Sequence, residues 1–149
     1  MPVWTPDGTR VIFSSARTGA QWDLYWQPIR GGGDEPLFTG PVPPQKYVRD
    51  LTRDGRFLLF EGRGAQGSDL WVLPLTGDRK PYRLMESPFA ETHGRVSPDG
   101  RWLAFTSNET GELHDYLSDP GRPMADLGCG RDGPSVARRW ERAVLRLGR

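Results

Sequence analysis

Cysteine is nearly absent: the 149 residues hold only Cys129, which excludes an internal disulfide framework and leaves the redox compartment open. Histidine is almost as scarce. Neither His93 nor His114 has a Cys or His partner at ligand spacing, and no metal or other cofactor is expected. Lys46 and Lys80 are the only lysines among 20 basic residues, an arginine bias that reads as the mark of a GC-rich genome rather than of a ligand. Those bases are balanced by 19 acids, so a formal charge of +1 provides no field to draw the chain onto nucleic acid or anionic lipid. No apolar run approaches the ~20 residues that span a bilayer. Met1-Pro2-Val3-Trp4 lacks the regions of a signal peptide, so the sequence as written is expected to be a soluble, cytoplasmic product.

Glycine and proline are plentiful, at 19 and 14, beside a hydrophobic fraction of only 36%. That balance points to many turns and short elements rather than long helices. The length suits about one domain.

Three segments repeat. Trp4-Thr5-Pro6-Asp7-Gly8, Leu51-Thr52-Arg53-Asp54-Gly55 and Val96-Ser97-Pro98-Asp99-Gly100 each lead into a short apolar run, and their aspartates are 47 and 45 residues apart. A second motif keeps phase with the first: Asp23-Leu24-Tyr25-Trp26 begins 15 residues after Gly8, and Asp69-Leu70-Trp71-Val72 begins 14 after Gly55. Asp-Gly between apolar runs is a hairpin signal, because Gly accepts positive φ and Asp bonds its own backbone. The runs Val11 to Ser15, Phe57 to Glu61 and Trp102 to Ser107 are short and rich in β-branched and aromatic residues, as strands are. Turns at Arg17 to Ala20, Gly62 to Gly67 and Asn108 to Gly111 precede the Asp-Leu-aromatic strands, and Gly31-Gly32-Gly33 and Thr76-Gly77-Asp78 precede a last short strand. The reading is all-β: four antiparallel strands per unit of about 45 residues, the proportions of propeller blades.

On these residues the chain resembles a known family. The stretches "WTPDGTRVIFSSARTGAQWDLYW" and "VSPDGRWLAFTSNETG" resemble the TolB-type, WD-repeat-like (PD-repeat) β-propeller. "SDLWVLPLTGDRKPYRL" is also similar to the propeller that follows the kinase domain in bacterial receptor-like Ser/Thr kinases. The resemblance covers residues 1 to about 112 and implies blades at about 1–40, 41–85 and 86–117, roughly two and a half of the ~4–8 that close a propeller. It implies protein or small-ligand binding by a longer, bacterial signalling parent, whose own compartment is open to being extracytoplasmic, with further blades as normal neighbours. A gating propeller of a prolyl-oligopeptidase-type peptidase and a periplasmic TolB-like translocation protein are the alternatives. The peptidase would need a Gly-x-Ser-x-Gly domain, which is absent from the sequence.

After Leu113 the pattern lapses. Residues 114–149 are Arg-, Gly- and Pro-rich without alternation, so "ELHDYL" fails to continue as an Asp-Leu-Tyr strand and 118–149 reads as an irregular tail. Trp140, Val144 and Leu147 have helical spacing, yet translation in a shifted frame accounts for the tail with fewer assumptions. Met124-Ala125 must contain TGG one base on, and Trp140-Glu141 must contain GGG, preceded by a GAT that Arg139 permits. The shifted frame thus accommodates Trp, Asp-Gly and Leu-Phe-Tyr, the next blade, with the shift between residues 112 and 118.

Candidate sites are few. Asp7, Gly8, Asp54, Gly55, Asp99 and Gly100 are assigned to turn chemistry, since aspartates one blade apart do not converge on a metal. Trp4, Trp26, Trp71 and Trp102 fall at repeat positions that suit blade packing. Trp22 has no counterpart in the second unit and is the candidate exposed aromatic contact. Cys129 lacks a His-Asp arrangement. Val48-Arg49-Asp50-Leu51 only superficially matches a kinase catalytic loop, with Gly55 where the metal-binding Asn would stand. No catalytic or cofactor-binding residue is assigned, and the function class is interaction or sensing rather than catalysis.

The nucleotide sequence tests the shifted frame: the +1 frame of codons 118–149 is expected to encode a Trp…Asp-Gly…Phe-Tyr pattern, and its absence rules the shift out. Expressed alone, the chain is expected to aggregate; a monodisperse, cooperatively melting product would overturn that.

Overall fold

The computed structural model describes residues 1–117 apart from 18, 20, 66 and 86. Three antiparallel meanders follow one another along the chain, and no helix occurs among the described residues. The first sheet holds β1 (Val3–Trp4), β2 (Arg10–Ser15), β3 (Asp23–Pro28) and β4 (Glu35–Phe38) in that order. The second holds β5 (Gln45–Leu51), β6 (Phe57–Gly64), β7 (Gly67–Pro74) and β8 (Tyr82–Arg83). The third holds β9 (Glu91–Val96), β10 (Leu103–Ser107) and β11 (His114–Leu117).

One turn is built three times. Gly8 N–H donates to Thr5 O at 2.8 Å, Gly55 N–H to Thr52 O at 2.8 Å, and Gly100 N–H to Ser97 O at 2.9 Å. The glycines hold φ of +65°, +71° and +72°, the left-handed region that a side chain disfavours. Each aspartate accepts the N–H two residues on, at 3.0 Å from Thr9, 3.0 Å from Arg56 and 3.1 Å from Arg101. The hydroxyl two residues before the aspartate accepts the N–H that opens the next strand, from Arg10, Phe57 and Trp102. The turn therefore sets where pairing starts.

From there the registers coincide. Phe13 faces Tyr25, Phe60 faces Trp71 and Phe105 faces Tyr116 across β2–β3, β6–β7 and β10–β11. The pairs have ring centroids 6.1, 6.1 and 5.6 Å apart. Alternation then sorts side chains between two cores. Ile12, Leu24 and Leu37 meet Val48, Leu58, Phe60 and Leu73 between the first and second sheets. Leu59, Leu70 and Val72 meet Leu103 and Phe105 between the second and third. Each fully buried apolar side chain contributes about 1.5–3 kcal/mol.

Two sequence expectations change. His114–Leu117 is a strand, paired residue for residue with β10. Its polar composition hides it, but the ladder is made by backbone, and Tyr116 still occupies the aromatic position. The Gly62 to Gly67 segment is mostly strand as well, since β6 runs to Gly64 and pairs it with Gly67. Gly62 is there for space: a Cβ would lie 2.5 Å from Pro43 Cγ and 2.5 Å from Trp71 Nε1. The shifted-frame tail, Cys129 and the helical spacing of Trp140, Val144 and Leu147 lie outside the described residues.

Both obstacles at Gly62 are rigid rings, so Gly62→Ala should lower unfolding free energy by about 1–3 kcal/mol in urea denaturation. Gly64→Ala, whose new Cβ would find only Pro44 Cδ at 3.9 Å, should change it by less than about 0.5 kcal/mol.

Candidate recognition surface

The repeated aspartates sit in hairpin turns and are occupied by local bonds. Thr5 Oγ1 donates to Asp7 Oδ1 at 2.6 Å and Thr9 Oγ1 to Oδ2 at 2.9 Å. These hydroxyls and the Thr9 N–H hold the Asp7 carboxyl down to about 2. The Thr52 hydroxyl and Arg56 N–H lower Asp54 in the same way, and the Ser97 hydroxyl and Arg101 N–H lower Asp99. Neighbouring turns touch through Pro6, whose ring lies 3.3 Å from where a Cβ on Gly55 would be. Among the described residues no group of three or more His, Cys, Asp or Glu could hold a metal. The hydroxyls of Thr5, Thr52 and Ser97 are the part the sequence reading overlooked, although their fixed spacing from Asp-Gly was there to be read.

Trp22 stands where the first two sheets join. Its N–H donates to Pro44 O at 3.2 Å and its carbonyl accepts from Lys46 N–H at 2.9 Å, a parallel bridge with Gln45. Trp22 is 37% exposed, and its indole lies 5.5 Å from the Tyr47 ring, tilted at 39°. Next to Tyr47 along β5, on the opposite face of the strand, Lys46 is fully buried, its Nζ donating to Asp23 Oδ1 at 2.8 Å and to Gly40 O at 2.7 Å. The Arg49 guanidinium likewise closes on the buried Glu61 carboxylate. Sequence reasoning missed Lys46; a lone lysine inside a strand pattern was its only signal.

The other tryptophans divide. Trp26 and Trp71 pack against the core between the first two sheets, at repeat positions, whereas Trp4 is 63% and Trp102 38% exposed. Trp4 lies on a two-residue edge strand, and Trp102 precedes β10 beside its turn. Their repeat counterparts, Leu51 and Val96 for Trp4 and Phe57 for Trp102, pack in the seams between sheets, whereas Trp4 and Trp102 lie on the two outer faces. On the outer face of the third sheet, His93, Ala104, Thr106, Asp115 and Leu117 line a shallow hollow of about 240 Å³. There Asp115, which accepts from Thr106 Oγ1 at 2.7 Å, holds the position that buried Leu24 and Leu70 hold in the other sheets.

No protein-family model matches the chain. Solved structures do. A protein described as TolB from Agrobacterium tumefaciens superposes with a TM-score of 0.71 at 21% identity, over 85% of this chain and 42% of that one. The fold is that of a TolB-type β-propeller. TolB from Acinetobacter baumannii matches at 0.67 and 25% identity, over 82% of this chain and 30% of its own. A prolyl endopeptidase matches at 0.60 and 16% identity, over 85% of this chain and 20% of its own. The chain thus spans less than half the length of each of these structures, an incomplete propeller of three blades among the described residues.

Lys46→Met should leave Asp23 buried without its cation and cost about 3–5 kcal/mol in urea denaturation; Lys46→Met with Asp23→Leu should recover most of that loss. Thr5→Ala should raise the Asp7 titration midpoint from about 2 toward 3.8, read by carboxyl-carbon NMR. Asp7 therefore contributes stability above its unfolded value that disappears as pH falls toward 2.

Proposed function

We propose that this TolB-type segment is a non-catalytic recognition element that binds a protein or small ligand through its rim. Its parent is a larger bacterial signalling protein, a Ser/Thr kinase with a propeller sensor, and its partners in that parent are further blades. The observation that carries the reading is the Trp22–Tyr47 pair: an accessible aromatic surface held in place by a backbone bridge and a buried ion pair rather than by a mobile loop. Rigid aromatics at a rim offer contact area at little entropic cost. The likeness of "SDLWVLPLTGDRKPYRL" to kinase-associated propellers supports the parentage. The chain as written is proposed to be cytoplasmic, whereas the same blades within the parent's sensor are proposed to be extracytoplasmic.

The change of reading frame is part of the same proposal. Tyr116 keeps the repeat phase, so the shift is assigned to the late end of the 112–118 window. The likeness to a prolyl endopeptidase favours a second reading, a propeller that gates a peptidase.

The parent protein, recovered from the flanking DNA, separates the two. Autophosphorylation with ATP and no labelling by a fluorophosphonate is expected; fluorophosphonate labelling of a Gly-x-Ser-x-Gly serine would establish the gating reading instead.

A further inference from the structure

The two seams between sheets are built on one plan with one reversal of charge. In the first, Asp23 of β3 stands opposite Ser15 and Lys46 of β5 opposite Gly62. In the second, Asp69 of β7 stands opposite Gly62 and Glu91 of β9 opposite Ser107. Ser15, Gly62 and Ser107 each lie two residues beyond the repeated phenylalanine, so Asp69 is the counterpart of Asp23 and Glu91 the counterpart of Lys46. Where the first seam has an ammonium against a carboxylate, the second has two carboxyl groups.

Glu91 is 3% exposed. The Ser87 hydroxyl donates to its Oε1, while Oε2 is buried without a hydrogen-bond partner. Among the described residues the charged groups that act on it are Asp69 from β7, Glu109 from the β10–β11 turn and Arg83 from β8. Arg83 Nε lies 3.6 Å from Asp69 Oδ2 on the solvent side, where the arginine is 44% exposed, and burial outweighs it, so the Asp69 carboxyl is raised as well. A carboxylate oxygen without a donor is costly in a dry seam, whereas a protonated one is a neutral hydroxyl.

We propose that Glu91 makes the seam between the second and third sheets a proton-dependent latch. With a proton on Oε2, Glu91 is neutral beside Asp69 and the third sheet is held; with that proton lost to solvent, two carboxylates share the seam and the third sheet loosens. The first seam, closed by the Lys46–Asp23 ion pair, is the internal reference. Burial pushes the Glu91 carboxyl up to about 7, the Asp69 and Glu109 charges add to the rise, and Ser87 and Arg83 oppose it. The sign follows: a carboxyl raised from 4.5 to about 7 on folding costs nothing below 4.5. The cost grows as pH rises through that interval and is complete above it.

Hydrogen exchange of the full chain, read by mass spectrometry at pH 5.5 and 8 and corrected for intrinsic rates, tests this. Protection of peptides from residues 91–107 should fall at least about tenfold at the higher pH, the effect of one unit of pKa difference, while those from 10–28 stay level. Glu91→Gln should abolish the difference by keeping protection at its low-pH level, and Glu91→Lys should do the same by restoring a lysine–aspartate pair. Equal protection of the third sheet at both pH values in the wild type would overturn the latch, as would an unchanged pH dependence in Glu91→Gln. A Glu91 carboxyl-carbon titration in the wild type keeps the question open to measurement if both variants misfold: a midpoint near 7 supports the latch, and one below 5 overturns it.

Discussion

A meander of three or four short strands has two faces and buries neither of them alone, so each sheet here depends on the one beside it. The dependence concentrates in β6. Leu58 and Phe60 turn toward the first sheet and Leu59 toward the third, all fully buried. A slip of one residue would send each of them to the wrong neighbour and empty both cores together. The Asp-Gly turn prevents the slip. Its Thr or Ser hydroxyl accepts the N–H that opens the next strand, and its aspartate holds the following amide, so pairing begins at a set residue in every unit.

The apolar plan is constant across the seams and the polar plan is not. Phenylalanine and a facing aromatic recur in all three sheets, and leucine recurs at Leu24 and Leu70. Around them the charged residues change from Lys46–Asp23 to Glu91–Asp69, and Arg49–Glu61 adds a pair within the second sheet. Dispersion and burial supply the attraction, while buried charges decide how firmly a given seam tolerates its surroundings. In this chain neighbouring seams therefore carry different buried charges while keeping one backbone geometry.

Much of the fold was legible. Asp-Gly at fixed spacing and the Asp-Leu-aromatic run in phase with it identify strands β2, β3, β6 and β7, because turn chemistry and two-residue alternation are local. β11 was not legible: His114, Asp115 and Tyr116 show no alternation, yet a backbone ladder needs none. Trp4 and Trp102 read as packing residues from repeat position, and their counterparts Leu51, Val96 and Phe57 do pack in the seams, while Trp4 and Trp102 themselves stand on the outer faces of the first and third sheets. For the candidate surface, Trp22 was visible as an unmatched aromatic. The ion pair formed by its chain neighbour Asp23 was not, since Lys46 and Asp23 lie on separate sheets.

The sequence by itself determined the period, the turns, the strand order and which residues alternate, since each rests on interactions within a few residues or across one hairpin. Only the tertiary structure decided which face meets which neighbour, which charges are sealed in and what stands opposite them. Lys46 buried on Asp23 and Glu91 buried near Asp69 carry the same local pattern. Each meets an aspartate, 23 and 22 residues away on the preceding sheet, so the change from lysine to glutamate turns an ion pair into two facing carboxyl groups, a contrast that arises only once burial brings the pairs together through space.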